Sequence, residues 1–201
     1  MAVAFPEDVL AGAADVLRRL QTGCNFVGAR PAWVRAETLH QTLVFLGWQD
    51  PERLGDAVEA MRAGVARQPG SIRLTLSGVD FFPSQRDPRV VALGMHGDIQ
   101  KLIDLQAALA EECRSRGFDV ENRPFRPHVT LARIKAQKGL PGLKKVVAGH
   151  RAVKAGRFTA DRVVLFHSIL DPDGARHTRQ AEAILAPEGT PTAPSGPPSD
   201  Q

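Results

Sequence analysis

The sequence predicts a mixed α/β or α+β fold, and three observations predict it. Short β-like runs alternate with helical patterns along most of the chain. The order strand, helix, strand pair, helix occurs twice, over Met1 to Ala66 and over Ser71 to Val147. Each half also holds one strand that opens with histidine. The halves do not repeat residue for residue, so only the pattern of elements points to duplication.

Met1 to Phe5 reads as a short first strand. Pro6, Glu7 and Asp8 then open an amphipathic helix in which Val9, Leu10, Ala13, Val16, Leu17 and Leu20 fall at helical spacing, with Gly23 just past its end. Trp33 to Arg35 and Leu39 to Leu46 form a strand pair that Gly47 closes. Pro51 to Ala66 is a second helix with Leu54, Val58 and Met61 on one stripe. Ser71 to Val79 alternates as a strand, with Ile72, Leu74 and Leu76 on one face. A loop from Phe82 to Pro88 leads to the β-rich run Arg89 to Met95. Asp98 is placed to cap a third helix that continues through Arg114 and stops at Gly117. His128 to Ile134, Phe158 to Leu170 and Arg176 to Leu185 complete the strands, with a short basic helix over Leu143 to Val147. The last segment, Pro187 to Gln201, is built mainly from Pro, Gly, Ser and Thr. It offers almost nothing apolar to bury, which predicts a disordered tail over 187–201 after a folded unit over 1–186.

With 201 residues, 43% of them hydrophobic and 24% charged, the chain can bury a real core and has an ordinary globular composition. No apolar run approaches the roughly 20 residues a bilayer needs, and Glu7 and Asp8 come too early for a secretory signal. These features predict a cytoplasmic monomer with no membrane partner. Two cysteines, Cys24 and Cys113, are too few for a disulfide framework and read as small buried hydrophobes. The net charge is +4, and its distribution matters more than its sum: Arg123 to Arg157 holds ten Lys or Arg and no Asp or Glu. That segment gives one region a positive field suited to an anionic partner.

The chemistry is carried by His40-Gln41-Thr42-Leu43 and His128-Val129-Thr130-Leu131, two copies of His-x-Thr-Leu set 88 residues apart. Six His and nine Thr in the chain would give about 0.3 His-x-Thr tripeptides by chance. In a strand, residues i and i+2 project from one face, so each copy aims an imidazole and a hydroxyl the same way. Leu39, Leu43 and Phe45 then face away from His40, toward the helices. If the two strands are neighbours, two imidazoles and two hydroxyls converge on one cleft. A neutral imidazole can take a proton from a nucleophile while an imidazolium gives one to a leaving oxygen, which suits cleavage of a phosphodiester. The hydroxyls of Thr42 and Thr130 can hold phosphoryl oxygens as charge shifts. No carboxylate cluster is available for magnesium, and neither histidine has a His or Cys at metal-ligand spacing, so no metal or other cofactor is expected.

The second copy lies within Arg123-Pro124-Phe125-Arg126-Pro127-His128-Val129-Thr130-Leu131-Ala132-Arg133. Together with the first copy, the Trp33-Val34 run before it and the stretch FFPSQRDPRVVALG, this segment resembles the two-histidine (2H) phosphoesterases. Within them it is most similar to the bacterial RNA 2',3'-cyclic phosphodiesterases, historically called 2'-5' RNA ligases, from Ala2 to Leu185. The resemblance implies an α+β, bilobal, pseudo-twofold fold with two antiparallel-rich sheets backed by helices and a groove between them. It implies His40 as proton donor and His128 as proton acceptor in hydrolysis of an RNA 2',3'-cyclic phosphate end to a 2'-phosphate, without a metal. The reverse chemistry, joining to a 5'-hydroxyl, gives the ligase activity of the older name. One departure is the first strand, which such proteins carry in a longer form of the type RLFVAL.

Arg126 and Arg133 are candidate phosphate ligands, although a solvated loop and strand end would read the same. Arg133 stands at odd separation from His128, so a bulge, twist or strand end must intervene if it shares the site. Phe45, Phe82 and Phe125 could stack a base or belong to the core. His167 reads as a core or face residue, and His96, His150 and His177 as loop or surface residues. The basic run from Lys135 to Arg157 could steer RNA or simply be a solvated face. The competing functions are a phosphodiesterase for a small cyclic nucleotide such as ADP-ribose 1'',2''-cyclic phosphate, and a non-catalytic RNA-end-binding module.

Overall fold

The computed structural model describes residues 1–24, 31–68, 70–135, 139–171 and 174–185. The segment after residue 185, including the expected tail, lies outside them. Strand β1 (Ala2–Ala4) leads into helix α1 (Glu7–Cys24), whose acidic residues Glu7 and Asp8 complement the positive end of the helix dipole. Its buried face holds Val9, Ala13, Val16, Leu17 and Leu20 of the expected stripe, while Leu10 is only half-buried and the helix runs through Gly23, expected just past its end, to the buried Cys24.

The strand pair that follows is much shorter than its sequence suggests. Strand β2 is Ala32–Trp33 and β3 is His40–Thr42. β3 pairs with β1 from Ala4↔His40 to Ala2↔Thr42, and the amides of Leu43 and Val44 both turn to the Met1 carbonyl. The partner strand runs out, so the ladder stops at Thr42 and strict alternation stops with it. Phe45, expected to face the helices, is 67% exposed instead.

Asp50 accepts from the Glu52 amide and starts a 3-10 turn over Pro51–Arg53, and helix α2 follows at Leu54–Ala66. The expected stripe is rotated: Leu54 is exposed, and the buried face is Ala57, Ala60, Met61, Gly64 and Val65. Small residues there let helix α3 (Ile99–Ser115) come close, since a Cβ on Gly64 would lie 2.8 Å from the Leu109 Cα. Strands β4 (Ile72–Pro83) and β5 (Pro88–Gly97) extend into the segment expected as a loop. Asp98 makes no side-chain cap on α3; its carboxylate accepts from the Arg73 amide and guanidinium, both at 3.2 Å, and so ties the helix start to β4. Gly117 ends the helix region in a left-handed conformation, φ 77°, as expected.

Strand β6 (His128–Arg133) and helix α4 (Leu140–Ala148) come next. The run expected as one strand from Phe158 to Leu170 is two, β7 (Lys154–Ala160) and β8 (Arg162–Asp171), which separate at Asp161; β9 (Gly174–Ile184) pairs with β8. Two antiparallel sheets result, one in the order β3-β1-β8-β9 and the other β2-β6-β5-β4-β7. The spatial units do not follow the two halves of the chain. Helix α1 packs on β7 and α4 on β4 of the five-stranded sheet, while α2 packs on β8 and β9 and against α3. Gly12 allows the first of these contacts, because a Cβ there would strike the Ala155 carbonyl of β7. β2 likewise leaves the first half to join β6. No helix among the described residues is long and apolar enough to cross a membrane.

Candidate active site

The two sheets approach one another where β3 lies beside β6, so the edge strand of one sheet brings its His-x-Thr copy to that of the other. In both strands the middle residue is buried, Gln41 in β3 and Val129 in β6, and the His and Thr around it are half-buried. Each imidazole is fixed in the same way. His40 Nδ1 lies 2.7 Å from the Thr38 carbonyl, and His128 Nδ1 lies 2.8 Å from the Arg126 carbonyl. A carbonyl only accepts, so Nδ1 carries the proton in both rings and each Nε2 is left for chemistry.

Beyond that shared geometry the sites diverge. His40 Nε2 is 3.0 Å from Thr42 Oγ1, and its ring meets Phe166 at 5.7 Å and His177, edge on, at 4.9 Å between centroids. Burial pushes the His40 pKa down to about 4, and the positive charges of His177 and the terminal ammonium add to the effect while the bond to Thr38 opposes it. His128 stacks on Phe82, centroids 4.0 Å apart and planes 15° apart. Its pKa is also lowered, mainly by burial and further by the Arg126 cation, against the bond to the Arg126 carbonyl. Arg126 is exposed, donates to the Pro83 carbonyl at 3.3 Å, and lies 5.3 Å from the Phe82 ring centre.

Arg133 meets the condition that its odd spacing set. Ala92 pairs with Thr130 but Val91 pairs with Ala132, so Leu131 is an extra residue on β6. The bulge restores Arg133 to the face of His128 and Thr130. Phe82 covers His128, and Phe125 packs half-buried against the core. Phe45 is outside the cavity described below. Lys144, Lys145, Arg151, Lys154 and Arg157 form an exposed basic surface on α4 and β7 and the turn between them. Cys24 and Cys113 are free and buried, as expected.

Among the histidines, His96 and His167 are exposed and His150 Nδ1 bonds the Val146 carbonyl. His177, which reads as a surface residue in the sequence, faces His40 and bonds Ser168 Oγ through Nδ1 at 2.7 Å. It also lines a cavity of about 300 Å³ beside His40, together with Phe166, Arg35, Arg176 and Arg179. These are the residues that the sequence did not single out. The one signal available was His177-x-Arg179, an i, i+2 pair that a strand puts on one face. Among the described residues no three His, Cys, Asp or Glu side chains gather closely enough to ligate a metal.

Residues 6–171 match the sequence profile of the 2'-5' RNA ligase superfamily. The chain belongs to that superfamily. A relative from Aeropyrum pernix, named RNA 2',3'-cyclic phosphodiesterase, is 31% identical over 178 residues, which cover 86% of this chain and 97% of the relative. One of the same name from Methanothermobacter thermautotrophicus is 29% identical over 171 residues, 85% of this chain and 91% of its own. Among solved structures, TT0787 of Thermus thermophilus superposes with a TM-score of 0.71 at 27% identity, covering 93% of this chain and 97% of that one. Escherichia coli LigT complexed with 3'-AMP gives a TM-score of 0.67 at 25% identity, covering 92% and 95%. The stretch matched to the 2'-5' RNA ligase superfamily contains both His-x-Thr copies and β8, and it ends before His177 and Arg179 of β9.

Proposed function

We propose that this chain is an RNA 2',3'-cyclic phosphodiesterase that opens a terminal cyclic phosphate to a 2'-phosphate by acid–base chemistry between two histidines. The observation that carries the reading is the meeting of two His-x-Thr strands whose imidazoles are held in one tautomer, with Nε2 unprotonated, by matching bonds from Nδ1 to the carbonyl two residues earlier. The names of the relatives support the substrate.

In this reading His128 Nε2 takes a proton from water as the water oxygen bonds to phosphorus. The bond from phosphorus to O3' breaks, and His40 Nε2–H gives its proton to the departing oxygen. The product is a 2'-phosphate beside a free 3'-hydroxyl, and the protons on the two rings reset through solvent. A 5'-hydroxyl in place of water gives a 2'-5' linkage by the same displacement. Thr42 and Thr130 donate to the non-bridging oxygens, with Arg126 and Arg133 at the margin. His40 is neutral in the ligand-free protein at pH 7, given a pKa of about 4. An anionic cyclic phosphate beside the ring favours the imidazolium and so loads the acid on binding. The folded unit over 1–186 acts as one bilobal, monomeric, cytoplasmic enzyme with an RNA end as its partner.

The test is incubation with a short RNA ending in a 2',3'-cyclic phosphate, in excess EDTA, followed by assignment of the product's phosphate position. A 2'-phosphate is expected. No turnover, or turnover only after metal is added, would contradict the proposal, and a 3'-phosphate would reverse the roles of His40 and His128.

A further inference from the structure

The solvent face of the five-stranded sheet continues the site away from His128. Gly94 pairs with His128, and His96 follows two residues later on β5, so both stand on the face of the His128 ring. Thr75 pairs with His96 and Arg157 with Thr75, which carries the same face across β4 to β7. Beside this row Lys154 pairs with Ser77. The other face belongs to the core, where Leu74, Leu76, Leu93, Met95 and Phe158 are all buried. His96, Lys154 and Arg157 are exposed, and Gly94, Thr75 and Ser77 are half-buried. The floor between the two histidines is open backbone. A Cβ on Gly94 would lie 2.7 Å from the Ser77 carbonyl oxygen, where a bulge interrupts β4, and 3.5 Å from His96 Nε2.

Charge along this face is uneven. Arg157 and Lys154 have no ion-pair partner among the described residues, whereas Arg73, two residues before Thr75, is engaged by Asp98 at 3.2 Å. At the opposite end Asp80 pairs with Ala92, the partner of Thr130, and Phe82 covers His128. A strand that runs from His128 past His96 meets Arg157 and Lys154 about 14 Å away, across three strand spacings. Displacement at phosphorus runs in line, with nucleophile and leaving oxygen on opposite sides. If His40 serves the departing O3', the attacking oxygen arrives on the side of His128, and so does whatever chain carries it. In joining, a 5' oxygen bonds to phosphorus as its proton passes to His128 Nε2, and the bond to O3' breaks as O3' takes the proton of His40. We propose that this face seats a second RNA strand, with its 5'-hydroxyl at His128 and its following phosphates on His96, Thr75, Arg157 and Lys154. The acceptor then binds apart from the strand that ends in the cyclic phosphate, and it displaces water when it does. This rests on the two-histidine phosphodiesterase reading and adds to it a separate site for the nucleophile.

The test uses an RNA tetranucleotide with a 5'-deoxy end and a 3'-terminal diol, which fills the acceptor site without reacting, while a short RNA with a 2',3'-cyclic phosphate is hydrolysed. In the wild type the tetranucleotide should lower kcat for hydrolysis and leave KM unchanged, because it displaces water and not the substrate. In the double variant Lys154→Ala, Arg157→Ala the inhibition constant should rise by about tenfold, with uninhibited hydrolysis within about twofold of wild type. The retained hydrolysis also reports that the variant folds. For two lost phosphate contacts, the log–log salt dependence of tetranucleotide binding should flatten by about 1.4. Absent or competitive inhibition in the wild type would overturn the proposal, as would an inhibition constant that the variant leaves unchanged. An equal loss of hydrolysis and of inhibition would put the two cations on the cyclic-phosphate strand and overturn it too. Failure of the wild type to hydrolyse the RNA would sink the phosphodiesterase reading. In that case, anisotropy of a fluorescent tetranucleotide still tests the surface: binding weaker by about tenfold in the double variant supports it, and unchanged binding contradicts it.

Discussion

His40 and His128 share a motif and a backbone lock, yet their surroundings give the two rings different proton affinities. β3 is an edge strand of three residues, and its histidine is pressed against Phe166 and His177, with its pKa brought down to about 4. β6 is an interior strand between β2 and β5, and its histidine rests on Phe82 with the Arg126 cation close by. The motif decides the tautomer and the direction in which each ring points. The neighbours decide how readily it holds a proton, and on the β3 side they favour the neutral ring.

The comparison is broken most severely by deleting either ring. His40→Ala and His128→Ala should each lower kcat/KM on a cyclic-phosphate RNA by about 10²–10⁴-fold with binding of the RNA retained, measured by single-turnover kinetics and anisotropy. A loss below about tenfold for either would remove that residue from the chemistry.

Acid should also separate the rings through stability. His40 binds a proton near pH 6.5 when unfolded and only near 4 when folded, so the unfolded chain gains protons first as pH falls. Stability is therefore lost as pH drops from 6.5 toward 4, by about 2 kcal/mol at pH 5 from this one group, before most carboxylates titrate. Urea denaturation of wild type and His40→Gln at pH 6.5 and 5 should show a shallower loss in the variant; an identical loss would mean the ring is not held neutral.

On the other side, Phe82→Leu should raise the His128 pKa by readmitting water to the ring and lower kcat/KM by about tenfold, with His40 unaffected. The smallest effect concerns the residue between each His and Thr. Gln41 is 1% exposed, donates to the Thr42 carbonyl at 2.7 Å and leaves its Oε1 without a partner, where β6 has Val129. Gln41→Met loses one bond and relieves one orphaned acceptor, so stability should change by less than about 1 kcal/mol. A loss several times larger in chemical denaturation would show that the buried amide holds β3 in place.

Much of this asymmetry lies outside the reach of sequence patterns, for physical reasons. The alternation in His-x-Thr correctly gave the facing of each side chain up to Thr42, and failed at Phe45 because β1 offered no further partner. Asp98 looked like a cap by position, but Arg73, 25 residues away, competes for its carboxylate. The odd spacing of Arg133 called for a bulge, and the extra residue is at Leu131. For His177 the i, i+2 pair with Arg179 marks only a shared strand face, because its place beside His40 comes from the β8–β9 register and from a bend that returns the hairpin to His40. Most of the stripe of helix α1 is local and legible in the sequence, although the helix continues through Gly23 to Cys24, whereas the exchange of α1 and β2 between the sheets is not legible.

The most direct test of the account is an NMR titration of the 15N-labelled imidazoles, with His40 and His128 assigned by substitution, without ligand and with inorganic phosphate. Both rings should carry the proton on Nδ1 when neutral, His40 should titrate near 4 and below His128, and phosphate should move the His40 midpoint upward. A His40 midpoint near 6.5 that phosphate leaves in place, or a proton on Nε2 in either neutral ring, would contradict it.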